Sequence, residues 1–482
     1  MGTAKRALHG TFFVAINSYA SILVAFVTGI ALARILDPAD FGLYRISLFF
    51  LDLFGRSKEF GLDKALIHKQ GNLEKSFRTH FTLQLLFSLL TLVLVLIFSP
   101  FLGRFYRSEV SYFIVILAFF SLFQALSTTQ KVSLEKNLNF STTAAIDVTS
   151  LVLSSTISVV LAFRGLGPLS LVLGYGLNFF FNFTLLWIIR PWKVPMSDLI
   201  LWDVQEIKWI LKFGSFLFLG GLTTFILYKY NDFILGTFLS AAALGYYSRA
   251  FNYAQIPTSL ITSVISKVAL PTYSALQNEK EKLAGTFEIV LKSIVRVSFP
   301  LSLVLYMVAD DFTVFVLGPK WIPMIPIFRI LLIYGVFRSI FDDLGELFTA
   351  VGKPKIVSIY LFFQAFILLF LAPYLTGLYK AEGAAISLSL VLALGVILGY
   401  FFLRKILKIR VASVLLPTIT VCFLTMICFK YVVFKFSLNF PDPFLSLVTK
   451  LGVFATFYLI IMALIDGKSF VKDVKFMLAH LK

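Results

Sequence analysis

Long apolar runs, separated by short polar and mostly basic segments, fill nearly the whole chain. A bilayer hydrocarbon core of about 30 Å needs roughly 20 apolar residues per helix. That ruler predicts about fourteen membrane spans. Six fall at 11–35, 41–60, 80–99, 112–130, 142–163 and 167–189. Six more fall at 212–236, 243–266, 290–309, 323–347, 356–376 and 381–403, and two follow at 412–434 and 444–465. The runs are continuously apolar and not alternating, which excludes the pattern of a transmembrane β-barrel. The first run follows Lys5 and Arg6 but is too long for a signal peptide and lacks a small-x-small cleavage pattern, so it reads as a retained helix.

The basic residues between the runs predict orientation. With the N-terminus inside, the inward segments hold about 27 lysines and arginines, including Lys64, Lys69, Lys131, Lys136, Arg296 and Arg404. The outward loops hold about five: Arg104, Arg107, Arg164, Lys320 and Lys380. Cytoplasmic segments carry such an excess, so both termini are expected inside. Three basic, amphipathic stretches, at 197–214, 279–294 and the tail 469–481, read as helices lying at the membrane surface.

The chain also echoes itself. "ARILDPADFGLYRI" (33–46) resembles "GTFLSAAALGYYSR" (236–249) at a constant offset of 203, which aligns Gly42 with Gly245 and Tyr44 with Tyr247. Each copy bridges two spans, and six spans separate the copies. This predicts an all-α polytopic membrane protein with two pseudo-symmetric six-helix lobes, 1–190 and 191–404, and two further helices with a tail, 405–482.

Composition agrees with this reading. Hydrophobic residues make up 59% and charged residues 14%, against about 45–50% and about 25% in soluble domains. The net charge of +18 invites a nucleic-acid reading, but the basic residues sit as topology signals. No zinc-finger spacing, nucleotide-binding glycine loop or RNA-binding aromatic signature accompanies them, so no nucleic-acid partner is expected. Cys422 and Cys428 lie six apart in one apolar run and read as small core residues. His9, His68, His80 and His480 show no metal-ligand spacing. No metal or cofactor is expected.

Charges inside the spans carry the chemical signal. A charge at mid-membrane costs about 2.5–3.5 kcal/mol on insertion scales, so such residues face protein or a wet cavity. Arg45, Asp52 and Arg56 are spaced by seven and four and fall within roughly 40° on one helical face. That face is expected to line a cavity. Lys229 and Asp232 are three apart in the seventh span, and Arg249 lies near the outer end of the eighth. Arg338, Asp342 and Glu346 descend one side of the tenth, with Arg329 and Asp343 on another. Two blander readings stay open: Arg34, Lys58, Glu59 and Arg249 as residues snorkelling to an interface, and Arg338–Asp342 as an ion pair fixing helix packing. "DPADFG" reads as a turn and helix cap. Several arginines suit an anionic substrate, because guanidinium matches phosphate oxygens bidentately. The substrate-binding candidates are Arg45, Arg56, Lys229, Arg249 and Arg338. Asp52, Asp232, Asp342 and Glu346 are candidates for coupling to an ion gradient.

Particular motifs carry a family resemblance. "ARILDPADFGLY" with "EFGLDKALI", "NDFILGTFLSAAALGYYSRAFNYAQIP", "VALPTYSALQ" and "FVLGPKWIPMIPIFRILLIYG" with "FTAVGKPKI" resemble lipid-linked oligosaccharide flippases of the Wzx or polysaccharide-transporter type. That family belongs to the multidrug/oligosaccharide-lipid/polysaccharide exporter superfamily. The resemblance covers nearly the whole chain and is least clear after residue 405. It implies two six-helix lobes, often with two extra helices, and a cationic cavity. It also implies a cytoplasmic-membrane protein that moves polyprenyl-diphosphate-linked glycans to the outer leaflet by alternating access. The implied partners are the lipid-linked glycan, membrane lipids, and a polysaccharide polymerase and export machinery. A lipid II flippase and a drug/cation antiporter of the same superfamily are the alternatives. A membrane glycosyltransferase or polymerase fits less well, because the outer loops are too short to present catalytic carboxylates.

Overall fold

The computed structural model describes residues 3–70, 73–189, 200–436, 438, 440–467, 469–471 and 473. Every regular element among them is helical. The chain divides into two units, Met1–Ser248 and Arg249–Lys482.

In the first unit, α1 spans Thr3–Ile35 and α2 spans Pro38–Phe54. The start of α2 follows from "DPAD". Pro38 occupies the first helical turn, and the backbone N–H of Asp37 donates to the Asp40 carboxylate at 2.9 Å. This satisfies a terminal donor, and the fixed φ of proline suits that position. The end of α2 differs from the span expected at 41–60. The helix stops at Phe54, a tighter 3₁₀ turn covers Gly55–Glu59, and Gly61 turns the chain at φ 65° into the short α3, Leu62–His68. Glycine takes that left-handed conformation without a Cβ clash.

The unit continues with α4 (Leu73–Phe105), α5 (Ser108–Lys136), α6 (Phe140–Phe163), α7 (Leu169–Ile189) and α8 (Val204–Phe238). Then α9 (Ala241–Ala254) carries the chain across the unit boundary. Helix α5 packs on α4 and α7, and α6 packs on α1 and α7. Helix α8 runs antiparallel to α2: Phe49 stacks on Phe233 at 5.4 Å, and Phe60 stacks on Phe218 at 4.2 Å. Lipid tails are as apolar as leucine, so close backbone approach and ring stacking hold such helices together. Glycines allow that approach. A Cβ on Gly42 would overlap the Ala241 carbonyl, and one on Gly245 would overlap the Pro38 carbonyl. The two contacts are related by the same offset of 203, since 38 + 203 = 241 and 42 + 203 = 245.

The second unit contains the end of α9, then α10 (Ile256–Ala275), α11 (Lys280–Met307), the single turn α12 (Ala309–Phe312) and α13 (Ile325–Ala350). The 50-residue α14 (Pro354–Leu403) loses helical geometry at Tyr379 and Lys380. It folds back there: the Gln364 amide donates to the Val391 carbonyl at 3.0 Å, and Gly383 lies against the Leu375 backbone. The spans expected at 356–376 and 381–403 are thus the two arms of this hairpin. Helices α15 (Val411–Lys435) and α16 (Pro443–Ile465) pack on each other, and α15 packs on α11.

Ten described helices are long and apolar enough to cross a membrane, or eleven if the bent α8 counts as one span. Apolar side chains face outward along them; Phe434 is 87% exposed and Leu464 80%. The expected fourteen is not reached on length and apolarity. Helix α2 has 17 residues and α9 has 14, and α14 counts once despite its two arms. Most of the tail at 469–481 and the start of the stretch at 197–214 lie outside the described residues.

A charged chamber in the first unit as candidate functional site

The sequence places Arg45 and Asp52 on α2, and Lys229 and Asp232 on α8. Antiparallel packing brings them together as two crossed ion pairs. The Arg45 Nε donates to Asp232 at 2.7 Å, and the Lys229 Nζ lies 2.8 Å from Asp52. Asp232 is 1% exposed. A buried carboxylate is tolerated because its partner is held within hydrogen-bond distance.

Arg56 lies beyond the end of α2 but lines the same chamber as Asp52, whereas Arg45 is not among the lining residues. In the 3₁₀ turn the Arg56 Nε donates to the Asp52 carbonyl at 2.9 Å, and its guanidinium sits 4.6 Å over the Phe225 ring. Lys58, in the same turn, donates to Ser121 of α5 at 3.1 Å.

Arg56, Lys58 and Asp52 line a polar chamber of about 570 Å³ within this unit. One wall is a helical stripe on α5: Ser121, Gln124, Thr128, Lys131 and Glu135, at steps of three and four. That spacing keeps all five on one face. Opposite it stand Asp147 of α6 and Tyr175, Asn178 and Asn182 of α7. Lys131 pairs with Asp147 at 2.7 Å. Asp63 of α3 completes the lining, held by His80 Nε2 and Gln84, each at 3.0 Å. His80 is fully buried inside α4, and its Nδ1 lies 2.9 Å from the Thr129 hydroxyl.

The remaining sequence candidates lie in the second unit. Arg338 pairs with Asp342 at 2.8 Å one turn along α13, the ion pair expected as one alternative. The neighbouring Asp343 is buried and accepts a hydrogen bond from Tyr273 at 2.9 Å. Glu346 is half-buried one turn below Asp342, and Arg249 is half-buried on α9.

Residues 31–326, well over half of the chain, match the polysaccharide biosynthesis protein family. The chain belongs to that family. It is 25% identical over 415 residues to the lipopolysaccharide biosynthesis protein WzxC of Escherichia coli, covering 84% of this chain and 82% of that one. It is 27% identical over 299 residues to the teichuronic acid biosynthesis protein TuaB of Bacillus subtilis, covering 62% of each. In fold it is similar to the lipid II flippase MurJ, with a TM-score of 0.76 at 16% identity over 94% of this chain and 98% of that one. A multidrug resistance transporter of the MATE family gives 0.64 at 15% identity, over 83% and 98%. The Wzx-type resemblance and the all-helical membrane fold are both upheld.

In this polysaccharide biosynthesis family member, sequence reasoning missed much of the chamber wall. Lys131 looked like one more topology signal, and His80 stood at the start of the span expected at 80–99 with no partner in view. The available signal was the polar stripe "S-x-x-Q-x-x-x-T-x-x-K-x-x-x-E" from Ser121 to Glu135, at the end of an otherwise apolar run.

Proposed function

We propose that this protein is a flippase that moves a polyprenyl-diphosphate-linked oligosaccharide from the cytoplasmic to the outer leaflet for surface polysaccharide biosynthesis, such as exopolysaccharide or O-antigen. The supporting observation is the first unit's chamber, which is polar, charged and set among membrane-spanning helices. Lipid-facing helices need no such interior, and each intramembrane charge opposes insertion. A glycan, by contrast, needs hydroxyl, amide and charged partners to replace its water.

The diphosphate meets Arg56 and Lys58, the sugars fill the chamber, and the prenyl chain stays in lipid. Arg45 and Lys229 hold the α2–α8 contact behind that end of the chamber, and Asp52 and Asp232 are its ion-coupling carboxylates. Arg249 and Arg338 are the corresponding substrate-facing cations of the second unit, with Asp342 and Glu346 as its coupling carboxylates. Alternating access between lobes 1–190 and 191–404, with helices 405–482 attached, exposes the glycan to each leaflet in turn. The protein resides in the cytoplasmic membrane with both termini inside, and hands its product to a polysaccharide polymerase and export machinery.

The test is flipping in liposomes. Purified protein is reconstituted with a labelled polyprenyl-diphosphate oligosaccharide, and outer-leaflet exposure is followed with an impermeant lectin. Protein-dependent exposure that Arg56→Ala removes, with normal insertion, is the expected result. Gradient-driven efflux of an organic cation, with no glycan exposure, would overturn it in favour of the antiporter. Exposure of lipid II alone would favour the lipid II flippase.

A further inference from the structure

The charges of the chamber are sorted along its length. Seven charged residues line it: Arg56, Lys58 and Lys131, and Asp52, Asp63, Glu135 and Asp147. Two of the carboxylates are met by cations at short range, Asp52 by Lys229 at 2.8 Å and Asp147 by Lys131 at 2.7 Å. Arg56 and Lys58 stand together in the Gly55–Glu59 turn. Asp63 and Glu135 stand toward the other end.

Helix α5 gives the scale. Lys58 bonds Ser121, His80 connects Asp63 to the level of Thr129, and Glu135 follows six residues later. At 1.5 Å per residue, Ser121 to Glu135 spans about 21 Å. Between the two ends the wall offers neutral donors and acceptors: Gln124 and Thr128 on α5, Asn178 and Asn182 on α7, and the Tyr175 ring. Amides and hydroxyls of this kind exchange hydrogen bonds with sugar hydroxyls in either direction.

We infer that the chamber selects diphosphate-linked glycans whose enclosed sugars carry no carboxylate. The diphosphate lies at the Arg56–Lys58 end, and uncharged sugars lie along the wall toward Asp63 and Glu135. This rests on the flippase reading and adds the substrate class to it. A uronic acid in the chamber would face two carboxylates where water is partly replaced by protein, and like charges repel more strongly there than in bulk water. Discrimination of this kind comes from a built-in repulsive element as much as from new contacts.

The experiment uses the full chain in liposomes with two labelled polyprenyl-diphosphate tetrasaccharides of equal length. One contains only uncharged sugars; in the other, two sugars are uronic acids. Outer-leaflet exposure of both is timed for the wild type, Glu135→Gln and Glu135→Lys. The uncharged glycan should cross about tenfold faster or more in the wild type. Glu135→Gln should narrow the ratio, and Glu135→Lys should raise the rate of the acidic glycan itself. Glu135→Gln changes charge with little change in volume, so it remains informative should the lysine variant fold poorly. Equal rates for the two glycans, or a faster acidic one, would overturn the charge selection and leave the flippase reading intact. Exposure of neither above protein-free vesicles would overturn both.

Discussion

Arg56 and Arg296 are guanidinium groups of similar setting and opposite use. In the second unit, Arg296 of α11 is 4% exposed and fully engaged. Its Nε bonds Asp466 at 2.7 Å, Nη1 bonds Asp473 at 2.7 Å and Nη2 bonds Ser469 at 3.0 Å. The Tyr458 hydroxyl donates to its carbonyl at 2.6 Å, and the Phe470 ring lies 5.6 Å from the guanidinium. The segment after α16 is thereby clamped to α11. In the first unit, Arg56 rests on Phe225 and borders an open chamber. An ionisable residue within a span is therefore not by itself a mark of function. What separates the two settings is that Arg296 is enclosed by carboxylates and a hydroxyl, whereas Arg56 borders a cavity.

The contrast breaks most visibly at Arg296. Arg296→Ala leaves Asp466 and Asp473 without their buried cation, and removing one partner of such a pair costs about 3–5 kcal/mol. Thermal unfolding in detergent should show the loss, while flipping per folded molecule stays near the wild-type rate. The Arg45–Asp232 pair comes next. Arg45→Leu or Asp232→Leu alone should destabilise by about 3 kcal/mol or more, and the double variant should recover much of it, because an apolar pair replaces a buried ionic one at little cost. Arg56→Ala is the reverse of Arg296→Ala. Loss of a hydrogen bond to a charged group, about 1.5–3 kcal/mol, predicts a roughly tenfold to hundredfold slower flipping rate with little change in unfolding temperature.

The smallest effect lies outside the spans. Lys75, 2.7 Å away, and the Glu206 N–H of the α8 cap hold the Asp203 carboxyl below its ordinary range. A lowered folded value stabilises above the ordinary carboxylate pKa of about 3.9 and is lost as pH falls through the folded value. Unfolding temperature measured between pH 6 and 3 should therefore fall slightly less steeply in Lys75→Ala than in the wild type.

The same contrast explains what could be read from the sequence. Most span positions followed from apolar length, the short α2 and α9 being the exceptions, and the cap at Asp37 followed from "DPAD". The helix α2–α8 charges were legible as intramembrane charges, but their pairing was not. Spacing within one helix does not reveal which residue of a second helix lies opposite, 187 residues away in the case of Arg45 and Asp232. Arg56 borders the same chamber as Asp52, but from a 3₁₀ turn beyond the end of α2, a change of helical period that spacing alone does not show. Lys131 and Arg296 were hidden for one shared reason. Basic residues near span ends look like topology signals whether or not a carboxylate waits across the bundle. The polar stripe from Ser121 to Glu135 was the overlooked clue, since it keeps helical spacing where a solvated loop would keep none.

The glycine contacts at Gly42 and Gly245 bear on how this protein can diversify. At each, the opposing surface is a main-chain carbonyl, which is the same whatever residue supplies it. No exchange of one side chain for another across the contact can make room for a methyl group. A saturation library should therefore score both positions as cliffs, alanine included, while the chamber wall yields graded losses and gains. New glycan preferences are then expected to arise by drift among the chamber's polar residues, around two fixed points that selection holds at glycine.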